Sequence, residues 1–157
     1  MTAAKWLVLT WRLPAAISTP RVATWRSLQR LGAVSLAPGA VILPYTEDLL
    51  EQLEWIAEDI SQRGGDAYVL PVTELPDADE EEVRRRMREE RKAEYEQLRD
   101  GAQALAGRKS SEGMSYEREL AVLERGLVRA IERDYLASAQ RAPAERAIAL
   151  ARRRKET

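Results

Sequence analysis

WLVLTWRLPAAISTPRVATWRSLQRLGAVSLAPGAVILP, residues 6–44, sets two apolar runs on either side of a helical pattern, and that order decides the fold. Residues 5–11 read as a central strand, continuously apolar after Lys5 and rich in β-branched and aromatic side chains. Ser18 or Thr19 can cap the following helix, with Pro20 at its first helical position and Gly32 just past its end. Its expected apolar face is Val22, Trp25, Leu28 and Leu31, with Arg26 and Arg30, four apart, on the other side. Residues 33–36 and 40–43 are short apolar runs joined by Ala37-Pro38-Gly39, a turn signal that predicts a hairpin.

Working outward, Thr46 caps a second helix whose Glu47 and Asp48 meet the positive end of the helix dipole. Leu49, Leu53, Ile56 and Ile60 recur on one face, Gly64-Gly65 ends the helix, and residues 67–72 form a fourth strand. The order β-α-β-β-α-β predicts an α+β fold, a ferredoxin-like antiparallel sheet with two packed helices over residues 1–76. In that topology the last strand lies at an edge, where Pro71, with no N–H to donate, is tolerated. The first strand is apolar on both faces although two helices cover one, so a second subunit or the chain's own helical half is expected over the other.

Residues 77–157 read as a helical extension. Residues 77–100 are charge-dense, with a thin stripe of Val83, Met87 and Leu98 that suits an exposed or bridging helix. A flexible linker is expected at 101–113, where Gly101, Gly107, Ser110, Ser111 and Gly113 fall. Tyr116, Leu120, Leu123, Leu127, Ile131 and Tyr135 then form a continuous helical stripe. Pro143 suits the first turn of a last helix carrying Ile148 and Leu150 and ending in Arg152-Arg153-Arg154-Lys155.

The 157 residues hold 25 Lys and Arg against 26 Asp and Glu, yet Lys5, Arg12, Arg21, Arg26 and Arg30 occur with no acid before Tyr45. Such segregation marks a surface suited to an anion. There is no cysteine and no histidine, which excludes disulfides, thiol nucleophiles, Cys/His zinc sites and Ser-His-Asp triads. Chromate reduction is set aside as well, for want of a thiol or a dinucleotide glycine fingerprint. No enzymatic activity, metal or cofactor is expected. No apolar run approaches the roughly 20 residues of a membrane span and no signal peptide is evident, so a cytoplasmic protein is expected.

Guanidinium forks match tetrahedral oxyanions bidentately, which makes Arg12, Arg21, Arg26 and Arg30 the candidate anion-binding set. Arg26 and Arg30 are the preferred DNA phosphate contacts, and Arg12 and Arg21 the preferred pair for an oxyanion such as chromate. The terminal Arg152, Arg153 and Arg154 could add sequence-independent phosphate contacts, or simply fray and solubilise the end. Trp11, next to Arg12, is the candidate for stacking on a base, while Trp25 is read as core.

WLVLTWRLP, then R-x-x-x-W-R-x-L-x-x-L-G-A at residues 21–33, G-x-x-x-L-P at 39–44 and GGDAYV at 64–69 resemble the amino-terminal domain of the ChrB-type chromate-resistance proteins. REERKAEYEQL at 88–98 and RDYLASAQRAPAERAIAL at 133–150 continue the likeness. The resemblance implies a non-enzymatic, DNA-binding regulator of chromate-responsive genes, with a homodimer expected. Longer members carry a second, carboxy-terminal domain that is not in this sequence, so sensing is expected from that half or from a separate protein. A docking module for such a partner is the alternative reading. A more distant likeness runs to the middle domain of the PaaX-type, phenylacetate-pathway repressors and to small CRISPR-associated nucleases. The nucleases place a metal-holding aspartate at the end of the first strand, where this sequence has Thr10-Trp11-Arg12.

Overall fold

A computed structural model describes residues 3–14, 18–109 and 113–157. The chain is α+β and divides into two compact units, residues 1–83 and 84–157.

The first unit is built in the order β1 (Trp6–Arg12), α1 (Ser18–Arg30), β2 (Val34–Ala37), β3 (Ala40–Pro44), α2 (Glu47–Gln62) and β4 (Asp66–Val72). The four strands form one antiparallel sheet in the order β2-β3-β1-β4. β1 is central, pairing Leu7 with Leu43 on one side and with Pro71 on the other. β4 is an edge strand, so Pro71 sits where a missing N–H costs least. Pro38 and Gly39 make the β2–β3 turn, and Gly39 takes φ +76°, a left-handed conformation that glycine adopts without a Cβ penalty.

α2 forms as its sequence dictates. The Thr46 hydroxyl accepts from the Leu49 N–H at 3.0 Å, and Gly65 N–H donates to the Ile60 carbonyl at 2.9 Å to close the far end. Leu49, Leu53 and Ile60 are buried, and the helix packs on β1 and β4 and against α1. Leu7, Leu9, Val41 and Leu43 complete the core. On the opposite face of the sheet, Trp6, Val34 and Ile42 are buried as well, but the β1–β4 end is open: Val8 faces Leu70, Thr10 faces Tyr68, and Tyr68 is 65% exposed.

α1 departs from the sequence reading in the face it buries. Thr24 and Leu28 point inward, whereas Val22 is 46% and Trp25 37% exposed. Helical periodicity explains this, because positions 24, 28 and 31 align over successive turns while position 22, six residues before Leu28, falls on another side. The helix also begins at Ser18, so Thr19 and Pro20 lie within its first turn.

The second unit is helical. α3 (Asp77–Ala106) begins in the first unit and continues into the second, and α4 (Met114–Glu132) and α5 (Arg141–Glu156) follow. α3 takes in residues 101–106 of the span read as a linker, with Ala102 and Leu105 buried; Ser110 and Ser111 lie outside the described residues. Ala102, Leu105, Tyr116, Leu120, Ala147, Ile148 and Ala151 form one core cluster, and Tyr95, Ala130 and Ala144 a second. Glycines let the helices approach: a Cβ at Gly126 would stand 2.8 Å from the Leu98 side chain. Two interior hydroxyls are matched, the Tyr116 hydroxyl donating to the Ala151 carbonyl at 2.8 Å and the Tyr95 hydroxyl to the Asp134 carboxylate at 2.9 Å. Burial, reinforced by the hydrogen bond to the Asp134 carboxylate, pushes the Tyr95 hydroxyl far above the usual phenol range. Two readings change in this unit: Leu150 faces solvent while Ala144, Ala147, Ile148 and Ala151 make the buried stripe of α5, and Tyr135 lies past the end of α4.

Candidate nucleic-acid interface

α1, STPRVATWRSLQR, holds three arginines and no acid. Arg21, Arg26 and Arg30 are all exposed, and among the described residues none of the three pairs with a carboxylate. The helix is anchored by Pro20, Thr24 and Leu28, which leaves its opposite side to solvent. With 100° per residue, Val22, Arg26 and Gln29 run along the crest, Trp25 and Arg30 lie on the two shoulders, and Arg21, seven residues before Leu28, lies low beside the buried side. Unpaired guanidiniums on an acid-free helix create a positive potential that a polyanion meets without first displacing a carboxylate.

The shoulders differ. Arg30 shares the groove between α1 and α2 with Ser27, Leu31, Asp48, Glu51, Gln52, Trp55 and Ile56, so two carboxylates temper the potential there. The Gln52 amide donates to the Asp48 carboxylate at 2.7 Å. Arg21 and Arg26 have no such acidic surroundings on their own helix.

Arg12 stands apart from this set. It ends β1 opposite Asp66 of β4, and its guanidinium lies 2.8 Å from that carboxylate although the side chain is 84% exposed. The cleft beside it is lined by Thr10, Trp11, Arg12, Gly39, Asp66 and Tyr68, without Arg21. The expected Arg12–Arg21 oxyanion pair is therefore not assembled by this cleft, and an anion at Arg12 would have to compete with Asp66. Trp11 is half-buried and lines that cleft, with its indole N–H closed off from solvent and, among the described residues, without a hydrogen-bond partner. Trp25, read as core, is the more open of the two tryptophan readings on account of the rotation of α1.

The terminal arginines are helical through Glu156 and mostly engaged. Arg152 pairs with Glu124, Arg154 donates to the Arg108 carbonyl, and Lys155 meets Glu117 at 2.6 Å. Arg153 is exposed. The periodicity of α4 held the missing signal: Glu117 and Glu124, seven apart, place carboxylates on one side two turns from each other.

Among the described residues no group of three or more acidic side chains is placed to hold a metal ion, and no helix is long and apolar enough to cross a membrane.

The family model described as "Protein ChrB, N-terminal" matches residues 21–156. The protein named "Protein ChrB" from Cupriavidus metallidurans is 37% identical over 79 residues, which is 50% of this chain and 24% of that protein. The match thus spans about a quarter of the relative's length. No solved structure matches the chain.

Proposed function

The chain belongs to the ChrB N-terminal family, and from that premise we propose that it is a non-enzymatic regulator of chromate resistance that binds DNA through α1. The observation that carries the reading is the acid-free helix with three exposed, unpaired guanidiniums. Phosphates of a duplex are the polyanion that such a helix suits, since each neutralised phosphate releases condensed counterions. The βαββαβ order with strands arranged β2-β3-β1-β4 supports a ferredoxin-like reading, in which the sheet is the rigid platform that presents α1. The proposed form is a cytoplasmic homodimer, whose two copies of α1 contact one duplex. Chromate at Arg12 and Arg21 is left out of the proposal because Asp66 already occupies the Arg12 guanidinium.

The test is duplex affinity at two salt concentrations for wild type and for Arg26→Ala/Arg30→Ala. Wild-type affinity falls steeply with salt, and the double variant binds more weakly with a shallower dependence. Absence of duplex binding at low salt refutes the reading and favours a docking module instead. The observation on the side of that second reading is the open β1–β4 end of the sheet, where Tyr68 and Leu70 present apolar surface to solvent.

A further inference from the structure

We infer that the open β1–β4 face of the sheet is where two copies of this chain meet, sheet against sheet, about a two-fold axis running parallel to the strands between β1 and β4. This rests on the homodimer named in the proposed function and gives it a surface. The face that a docking module would leave to a different protein is filled by a second copy.

The strand register builds the face. Side chains alternate along a strand, so Val8, Thr10 and Arg12 of β1 share one side of the sheet with their neighbours Leu70, Tyr68 and Asp66 of β4. Three rows result, each crossing from β1 to β4: one aliphatic, one hydroxyl-bearing, one charged. Leu70 is 46% and Tyr68 65% exposed, and the side chains of Arg12 and Asp66 are more than half exposed. Elsewhere on this side Trp6, Val34 and Ile42 are buried, which confines the open patch to these rows.

The order of the rows selects the occupant. Half a turn about the axis keeps every row at its height and exchanges β1 with β4. Arg12 then stands opposite the partner's Asp66 and Asp66 opposite the partner's Arg12, while Thr10 meets the partner's Tyr68 and Val8 the partner's Leu70. Two guanidiniums and two carboxylates alternate at the rim of an apolar patch, which is the self-complementarity that an isologous contact requires. An axis laid across the strands fails, because it sets Arg12 on the partner's Arg12 or on an uncharged row. Beside the charged row lies a hollow of about 380 Å³ whose lining includes Thr10, Arg12 and Gly39. The partner's Tyr68, placed over Thr10, enters it, and tyrosines seated in this way anchor many interfaces. β4 offers no donor at Pro71, so a copy arriving at this margin joins through the face and not by extending the ladder. Two strands make a small patch beside the roughly 800 Å² per partner of a standard interface, so the dimer dissociates in the micromolar range.

The experiment is analytical ultracentrifugation of the full chain at about 1 to 300 μM, a span that brackets micromolar dissociation. Wild type is compared with Arg12→Asp, with Asp66→Arg, with an equimolar mixture of those two variants, and with Tyr68→Ala. Wild type passes from monomer to dimer as concentration rises. Arg12→Asp and Asp66→Arg each gather four like charges at the rim and each dimerise at least about 10-fold more weakly. The mixture sets two carboxylates of one chain against two guanidiniums of the other, and dimerisation returns to within about 3-fold of wild type. Tyr68→Ala weakens the dimer about 10-fold with no change of charge. All three side chains are exposed and the Arg12–Asp66 pair is a surface one, so folding is retained, and circular dichroism checks it. A dimer that none of the variants weakens, or a mixture no tighter than its components, overturns the inference alone and moves the homodimer contact elsewhere. Wild type that stays monomeric throughout removes the homodimer as well and leaves the face to a different protein, while salt-dependent duplex binding, measured separately, still stands for α1.

Discussion

Replacing Arg152 and Arg154 together by alanine separates a structural role for the terminal helix from a role in holding DNA. Arg152 pairs with Glu124, both side chains somewhat over a third exposed, and a pair so placed contributes about 0.5 kcal/mol. Arg154 donates to the Arg108 carbonyl, just beyond the end of α3, and a charge-assisted bond of this kind contributes about 1.5 kcal/mol. The double variant should therefore lose about 2 kcal/mol, which lowers the melting temperature by about 4–8 °C for a chain of this size. The salt slope of duplex binding should remain that of wild type, because neither guanidinium is available to a phosphate while it holds α4 or the end of α3. Thermal melting followed by circular dichroism and fluorescence-polarisation titration at several salt concentrations measure the two quantities on the same preparation. A slope reduced by about 2 with an unchanged melting temperature refutes the reasoning and returns the terminal arginines to the DNA contact.

The burial pattern of α1 is tested by a pair of substitutions: Leu28→Ala should cost about 2–5 kcal/mol in urea unfolding, whereas Val22→Ala should change stability by no more than about 0.5 kcal/mol. Equal costs would place Val22 in the core. At Gly39 an alanine Cβ would stand 2.5 Å from the Trp11 carbonyl oxygen at φ +76°, so Gly39→Ala should destabilise the hairpin by about 2 kcal/mol or more, and a neutral result in thermal melting would contradict the turn geometry. Burial raises the Glu90 carboxyl above its ordinary value, against the lowering effect of Arg91, Arg86 and Arg133. The folded chain then holds that proton to higher pH than the unfolded chain, so ionised Glu90 is a liability above the folded pKa and costs nothing below the unfolded one. Glu90→Gln should accordingly be more stable than wild type near pH 7, with the difference closing toward pH 4; a difference that widens on acidification would reverse the sign of the effect.

The elements of the first unit were legible because each carries its own punctuation. The Thr46 cap, the Pro38-Gly39 turn and the glycines after α2 act through local backbone chemistry, and local chemistry is what a sequence displays. The face of α1 was less legible. Val22, Trp25, Leu28 and Leu31 are all apolar, and counting apolar residues hides the fact that Val22 and Leu28 cannot share a face, while Thr24 is polar and buried. Arg26 and Arg30 could be found from spacing, but freedom from carboxylates depends on which strands and helices come near, which no spacing reports. Arg12 shows the same limit from the other side, since Asp66 is 54 residues away in sequence and faces it only through the β1–β4 register. Glycines misled in α3, where Gly101 looks like a linker residue and instead stands inside a helix, with the Leu123 side chain 3.1 Å from where its Cβ would be.

The two margins of the sheet bear on how copies of this chain can associate. A strand recruited alongside β4 would find no donor at Pro71, within the seven-residue strand, and one recruited alongside β2 would meet four residues with an irregular register near Ser35 and Ala37. Ladder extension is thereby discouraged at both ends, which protects the protein from edge-to-edge aggregation and directs self-association away from a continuous eight-stranded sheet.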